Sequence, residues 1–152
     1  MKKTFLALFL TIISLNLFSQ ITYFQDNDKK SSITIGILQG GGSLVGADFE
    51  TLLEKNVGVQ FGAGFVGYGG GIDFHLKPTI RSSFFSLQYW HQGFGNSYTQ
   101  SLIGPTFVYR SRSWFTAQIG LGYVLGYGSA YPSSATKVPF ILMYSIGAYF
   151  PI

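Results

Sequence analysis

One short segment of the chain contains residue types that could form a nucleophile and its base. His91 is followed by Ser97 and Ser101. A serine hydroxyl attacks a carbonyl only when a neighbouring base accepts its proton, and a carboxylate usually orients that base. No Asp or Glu follows Asp73 in the sequence, so the segment has no acid nearby. We therefore predict no catalytic residues and keep His91 as the one candidate base.

A second group of polar side chains could suggest a metal site. Asp48, Asp73 and His75 provide two carboxylates and one imidazole, but without the fixed spacing that ligand sets usually show. The chain has no cysteine, which excludes thiolate sites and disulfides. The glycine runs 40–42 and 69–71 lack the Gly-Lys-Ser/Thr of a phosphate loop and are predicted to be hairpin loops. We predict no metal and no cofactor.

The composition points away from a soluble or nucleic-acid-binding domain. Charged residues make up 11% of the chain and hydrophobic residues 47%, whereas soluble domains carry about 25% charged residues. The chain has 20 Gly, 10 Tyr and 15 Phe but only two Met, which favours strands and tight turns over helices. Basic residues do not cluster as a nucleic-acid-binding face requires.

The N-terminus has the pattern of a secretory signal peptide. Lys2 and Lys3 precede an apolar segment that ends near Leu15, which is short for a helix that spans a bilayer. We predict a signal peptide over 1–19, cleaved near Ser19, and the ending Phe-Ser-Gln resembles signal peptides of Bacteroidota. An uncleaved anchor is the alternative. Residues 20–31 are predicted to form a polar periplasmic lead-in.

From residue 32 onward, bulky apolar residues alternate with small or polar ones. In 115–125, the apolar series that includes Phe115, Ile119 and Leu121 alternates with a series that includes Gln118 and Gly120. A period of two residues is the signature of a strand with two different faces. The predicted strands are 33–39, 45–53, 57–66, 72–76, 82–91, 98–110, 115–125 and 140–150. The pattern predicts an all-β fold over 32–152, an eight-stranded antiparallel up-and-down β-barrel that spans a membrane.

The composition of the two faces decides their orientation. The bulky face carries no charge over whole strands and is predicted to contact lipid, while the small polar face is predicted to fill a narrow lumen. Aromatic residues near the strand ends, Trp90 and Tyr149 among them, are predicted at the membrane interface, and Arg110 at a periplasmic turn. The predicted lumen network comprises Asp48, Glu50, Gln60, Asp73, His75, Gln88 and Gln118. Its charges must pair to offset their desolvation.

After the signal peptide, this pattern resembles the small eight-stranded outer-membrane barrels of the OmpX and OmpA transmembrane type. The last strand resembles their C-terminal assembly signal at Ser145, Gly147 and Phe150, whereas Ile152 stands where an aromatic residue is usual. The resemblance implies recognition by the barrel-assembly machinery. It also implies an integral outer-membrane location, and outer-membrane lipids and lipopolysaccharide as partners.

Three functions are compatible with the sequence. We expect a non-enzymatic, monomeric barrel with a structural or surface-binding role, whose contact surfaces are the loops 92–97 and 126–139. A lipid-modifying acyl hydrolase that resembles the lipid A deacylases is the first alternative, but the His-x-Ser of that type is His91-Gln92-Gly93 here. A secreted soluble barrel that binds an apolar ligand is the second.

Overall fold

The alternating segments of the sequence fold into eight antiparallel strands. The computed structural model describes residues 29–95 and 97–152. Each strand pairs with the next in the chain, and the last pairs with the first to close the barrel. The predicted all-β, eight-stranded antiparallel barrel is therefore confirmed. The strands are β1 Ser31–Ile37, β2 Val45–Leu52, β3 Val57–Gly64, β4 Gly67–His75, β5 Phe84–Phe94, β6 Ser97–Arg110, β7 Phe115–Tyr127 and β8 Phe140–Pro151.

The two faces of each strand have different environments, as the period of two predicts. In β7, Thr116 and Gln118 are buried in the lumen, while Ile119 and Leu121 are exposed on the outside. In β5, Phe84 points inward and Phe85 outward, which fixes the phase of a strand whose sequence is ambiguous. The polar series thus lines the lumen and the apolar series covers the outside of the barrel.

The first connection folds into the barrel. Residues Gln39–Gly42 form a short helical turn, α1, that packs against the strands from inside. The backbone φ angles of Gly40, Gly41 and Gly42 are +62°, +79° and +80°, a region that glycine enters without strain. The predicted hairpin loop at 40–42 does connect β1 to β2, but it lies in the lumen rather than outside it.

The second glycine run is part of a strand. Gly69, Gly70 and Gly71 lie in β4 and pair with β3 and β5, so the prediction of a loop there was wrong. A Cβ atom on Gly69 would lie 3.0 Å from the Cα atom of Gly41 in α1. The missing side chains therefore let the helical turn approach the barrel wall.

The two halves of the barrel differ in height. The strands β1 to β4 are shorter than β5 to β8, and the segments 92–94 and 126–127, predicted as loops, extend β5 and β7. At one end, here called the turn end, the connections are 53–56, 76–83 and 111–114. At the other, the loop end, they are 38–44, 65–66, the link from Phe94 to Ser97, and 128–139. The connections at the two ends therefore do not differ consistently in length.

The predicted signal peptide over 1–19 and most of the predicted lead-in lie outside the described residues. Ser31, assigned to the lead-in, is the first residue of β1. Among the residues that the structure describes, no helix is long and apolar enough to cross a membrane.

Candidate functional sites in the lumen and at the rim

The turn end of the lumen is built around one buried arginine. Arg110, the last residue of β6, is 2% exposed. Its guanidinium group donates to both carboxylate oxygens of Glu50 on β2 and to Ser32 Oγ on β1, the latter at 3.0 Å. His75 Nε2 lies 2.7 Å from Glu50 Oε1, without hydrogen-bond geometry. Three side chains, Glu50, Arg110 and His75, thus form what we call the charge cluster.

Aromatic and backbone groups complete the closure of this end. The Arg110 guanidinium carbon lies 5.0 Å from the ring centroid of Phe84 and 4.7 Å from that of Tyr149, distances at which a cation is attracted to an aromatic ring. Arg110 also donates to the backbone oxygen of Ile80, whose side chain is buried. The 76–83 connection is therefore folded over the end of the lumen.

The charge cluster corrects two predictions. Arg110 was predicted at a periplasmic turn and Tyr149 at the membrane interface, but both are buried in the lumen. Position 110 continues the inward series of Thr106 and Val108. The seven residues of the predicted network include three carboxylates and no lysine or arginine, and this excess of negative charge was a signal that a cation lies beside them.

The middle of the lumen is filled by hydrogen-bonded polar side chains. Ser86 Oγ donates to Asp73 Oδ1 at 2.5 Å and lies 3.3 Å from the donor Gln60 Nε2. Gln88 and Gln118 bond to each other through both amides, at 2.8 and 3.3 Å. The structure thus places all seven predicted lumen residues inside the barrel.

The loop end is closed by the helical turn. The backbone N–H of Gly40 donates to both carboxylate oxygens of Asp48, at 3.2 Å each. A Cβ atom on Gly42 would lie 2.7 Å from the ring of Trp90. Trp90 was predicted at the interface, but it is buried in a cluster with Leu102 and Met143, and its Nε1 donates to Gln88 Oε1 at 2.9 Å. The turn therefore caps a layer of tightly packed side chains.

Charged residues are partitioned by region. Among the described residues, no Asp, Glu, Lys or Arg occupies an outward-facing strand position. The lumen holds Asp48, Glu50, Asp73 and Arg110; the turn end carries Lys29, Lys30, Glu54, Lys55, Lys77, Arg81 and Arg112; and the loop end carries Lys137. In the described residues, the outside of the strands is therefore free of Asp, Glu, Lys and Arg around the barrel.

His91 is the one titratable group with a basic nitrogen on this outer face, in the part of the chain that the structure describes. It lies at the loop-end rim, opposite Tyr68 on β4 and opposite Ser101 on β6. Its Nδ1 atom is 2.8 Å from Ser101 Oγ and 3.3 Å from the hydroxyl of Tyr89. Of the two candidate serines, the pairing register thus brings Ser101 to His91 and places Ser97 opposite Phe94.

The structure also locates the residues that were considered for a metal site and those of the predicted assembly signal. In the described residues, no group of three His, Asp or Glu side chains is arranged to hold a metal ion. Ser145 and Gly147 face the lumen from β8, whereas Phe150 and Ile152 are exposed on the outside. The assembly signal itself stays a prediction.

Comparisons with known proteins add no family assignment. No family model matches the chain, and searches of curated proteins and of solved structures give no significant match.

Proposed function

We propose that the chain is a small integral outer-membrane β-barrel with a structural or surface-binding role and a sealed lumen. The observation that carries the proposal is the uncharged apolar surface that surrounds the strands. Phe61, Phe65 and Ile119 are 65%, 83% and 58% exposed on it. Soluble monomers rarely expose contiguous apolar patches larger than a few hundred Å², and lipid provides the cover that such a surface needs.

Closure of the barrel supports the same proposal. A hydrocarbon environment contains no water to bond free backbone groups, so a sheet in it must have no open edge. Here β1 pairs with both β2 and β8 over nearly its whole length. The predicted C-terminal assembly signal and the predicted signal peptide fit an exported barrel.

The loop end provides the surface for binding. Two tyrosines hold the 128–139 connection: Tyr127, at the end of β7, donates to the backbone oxygen of Val138 at 2.5 Å, and Tyr131 donates to that of Thr136 at 2.9 Å. The ring of Tyr127 also lies 5.4 Å from the Lys137 ammonium group. An ordered loop loses little entropy on binding, which suits a contact surface.

The soluble alternative has less support. An apolar ligand needs an apolar cavity, whereas the centre of this lumen is filled by Gln60, Asp73, Gln88 and Gln118.

A lysine substitution on the outer face tests whether the strands are surrounded by lipid or by water. Ile119→Lys places a charge at an exposed position in the middle of β7. In lipid this change is expected to lower the free energy of unfolding by about 2–4 kcal/mol, whereas in water it would have almost no effect. Ser133→Lys, in the exposed 128–139 connection, is the matched control.

The measurement is denaturant unfolding of both variants in lipid vesicles, together with cell fractionation of the wild type. We expect the wild type only in the outer-membrane fraction, with heat-modifiable mobility in gels. Recovery as a detergent-free monomer, with Ile119→Lys as stable as Ser133→Lys, would contradict the proposal.

A further inference from the structure

The contact between His91 and Ser101 is unusual for its position. Both residues lie on the outer face, where their outward neighbours along the strands are Tyr89 and Ile103. His91 is 8% exposed and Ser101 is half-buried. The pair places a hydroxyl against an imidazole on a face that carries no Asp, Glu, Lys or Arg among the described residues.

The geometry of the pair meets the requirement for a nucleophile and its base. General bases lie about 2.6–3.2 Å from the group whose proton they accept, and His91 Nδ1 is 2.8 Å from Ser101 Oγ. When Ser101 donates this hydrogen bond, Nδ1 carries the lone pair and Nε2 carries the ring proton. The cross-strand register thus supplies the serine that the local sequence His91-Gln92-Gly93 lacks.

Two tyrosine rings pack against the imidazole of His91. The ring of Tyr68 lies 4.8 Å from that of His91 with an interplanar angle of 29°, and the ring of Tyr98 lies 4.6 Å away at 32°. The two rings hold the imidazole between them. Since an aromatic face attracts a cation within about 6 Å of its centroid, they also stabilise the imidazolium ion that forms when His91 accepts a proton.

We propose that Ser101 and His91 are catalytic residues that hydrolyse ester-linked acyl chains of membrane lipids. This inference rests on the proposed membrane location, because the substrate class follows from the place of the pair. The pair lies where the apolar face of the barrel meets the loop end, next to interfacial tyrosines, and lipid esters lie at the corresponding boundary between acyl chains and headgroups. The activity would be added to the structural role.

The reaction has two steps with one water consumed. Ser101 Oγ attacks the ester carbonyl carbon, its proton passes to His91 Nδ1, and the carbon–oxygen bond to the lipid alcohol breaks as His91 protonates the leaving alkoxide. Water then attacks the acyl-serine, His91 accepts a proton from that water, and Ser101 recovers the proton as the fatty acid leaves. The products are a free fatty acid and a lipid alcohol.

The test uses the full barrel in detergent micelles. An alkyl fluorophosphonate probe reports an activated serine, and a phospholipid with a fluorescent acyl chain, in mixed micelles, reports turnover. We expect the probe on the peptide that contains Ser101, and no labelling or turnover in Ser101→Ala. His91→Gln should lower turnover at least about 100-fold, whereas Ser97→Ala should leave it unchanged.

The tyrosines are positioning residues, and conservative variants test them. Tyr68→Phe keeps the ring face and should retain turnover, whereas Tyr68→Leu should lower kcat about tenfold with little change in KM. Equal turnover in the two variants would overturn the role given to the ring.

Failure of this proposal can be told apart from failure of the proposed location. An unlabelled Ser101 in a barrel with heat-modifiable mobility overturns the activity and leaves the location standing. A labelled Ser101 in a chain that stays in the soluble fraction overturns the lipid substrate.

Discussion

The two ends of the lumen are closed by different physical means. At the turn end, an ion pair between Glu50 and Arg110 joins β2 to β6, and His75 of β4 lies against the same carboxylate. At the loop end, α1 fills the opening with backbone and needs space that only glycine leaves. The first closure therefore depends on charge pairing and the second on shape. Substitutions at each end can separate the two modes of closure.

The largest effect is expected from breaking the charge cluster. Arg110→Met leaves the Glu50 carboxylate buried without its cation, and removal of one partner of a buried ion pair costs about 3–5 kcal/mol. Unfolding of the barrel by denaturant in detergent micelles measures this loss.

The control for Arg110→Met removes both charges. The double variant Glu50→Leu/Arg110→Met should recover most of the lost stability, since it leaves no unpaired charge. If the single and double variants are equally destabilised, the arginine acts through packing against Phe84 and Tyr149 instead.

A medium effect is expected at the loop end. Gly42→Ala introduces a Cβ atom that would lie 2.7 Å from the Trp90 ring, at a φ angle of +80°. The unfavourable backbone region alone costs about 1–3 kcal/mol, and the clash adds to it. The loss of unfolding free energy and the change in Trp90 fluorescence are the measurements.

Gly95→Ala is the matched control for that substitution. Gly95 has a φ angle of +54°, but nothing lies within 4 Å of an added Cβ atom. It should therefore show the backbone cost alone, with unchanged tryptophan fluorescence. A Gly42→Ala variant that matches Gly95→Ala in both measurements would show that α1 does not pack against Trp90.

The strands that carry the residues at both ends of the lumen could be predicted from the sequence. The period of two residues assigns each side chain to a face without knowledge of distant contacts. Glu50, Asp73 and His75 were assigned to the lumen in this way. Arg110 was not, since its place at the end of a strand beside Arg112 is also typical of a solvated turn. Its partner Glu50 lies 60 residues away along the chain, and no local pattern reports that contact.

Non-local contacts also decide the position of α1 and the contact between His91 and Ser101. A run such as Gly40 to Gly42 indicates a tight turn, but not on which side of the barrel wall the turn lies. Similarly, the sequence alone makes Ser97 and Ser101 equally plausible partners of His91. The choice of Ser101 depends on the register of the β5–β6 hairpin, which shifts at a bulge between Gln92 and Gly93.

The smallest effect is expected at the one carboxylate that contributes to the loop-end closure. Asp48→Asn keeps an oxygen that accepts from the Gly40 N–H but removes the negative charge, so the hydrogen bond loses its charge-assisted part. The expected loss is about 1 kcal/mol or less, while Asp48→Ala, which leaves the Gly40 N–H without this acceptor, should lose about 1–2 kcal/mol.

Hydrogen exchange at the Gly40 amide measures the local effect. Faster exchange at Gly40 in Asp48→Ala, with exchange at Thr34 on β1 unchanged, would show that α1 opens separately from the barrel wall. Equal acceleration at both sites would mean instead that the loop-end closure and the strands unfold as one unit, and the contrast between the two ends would then concern chemistry but not stability.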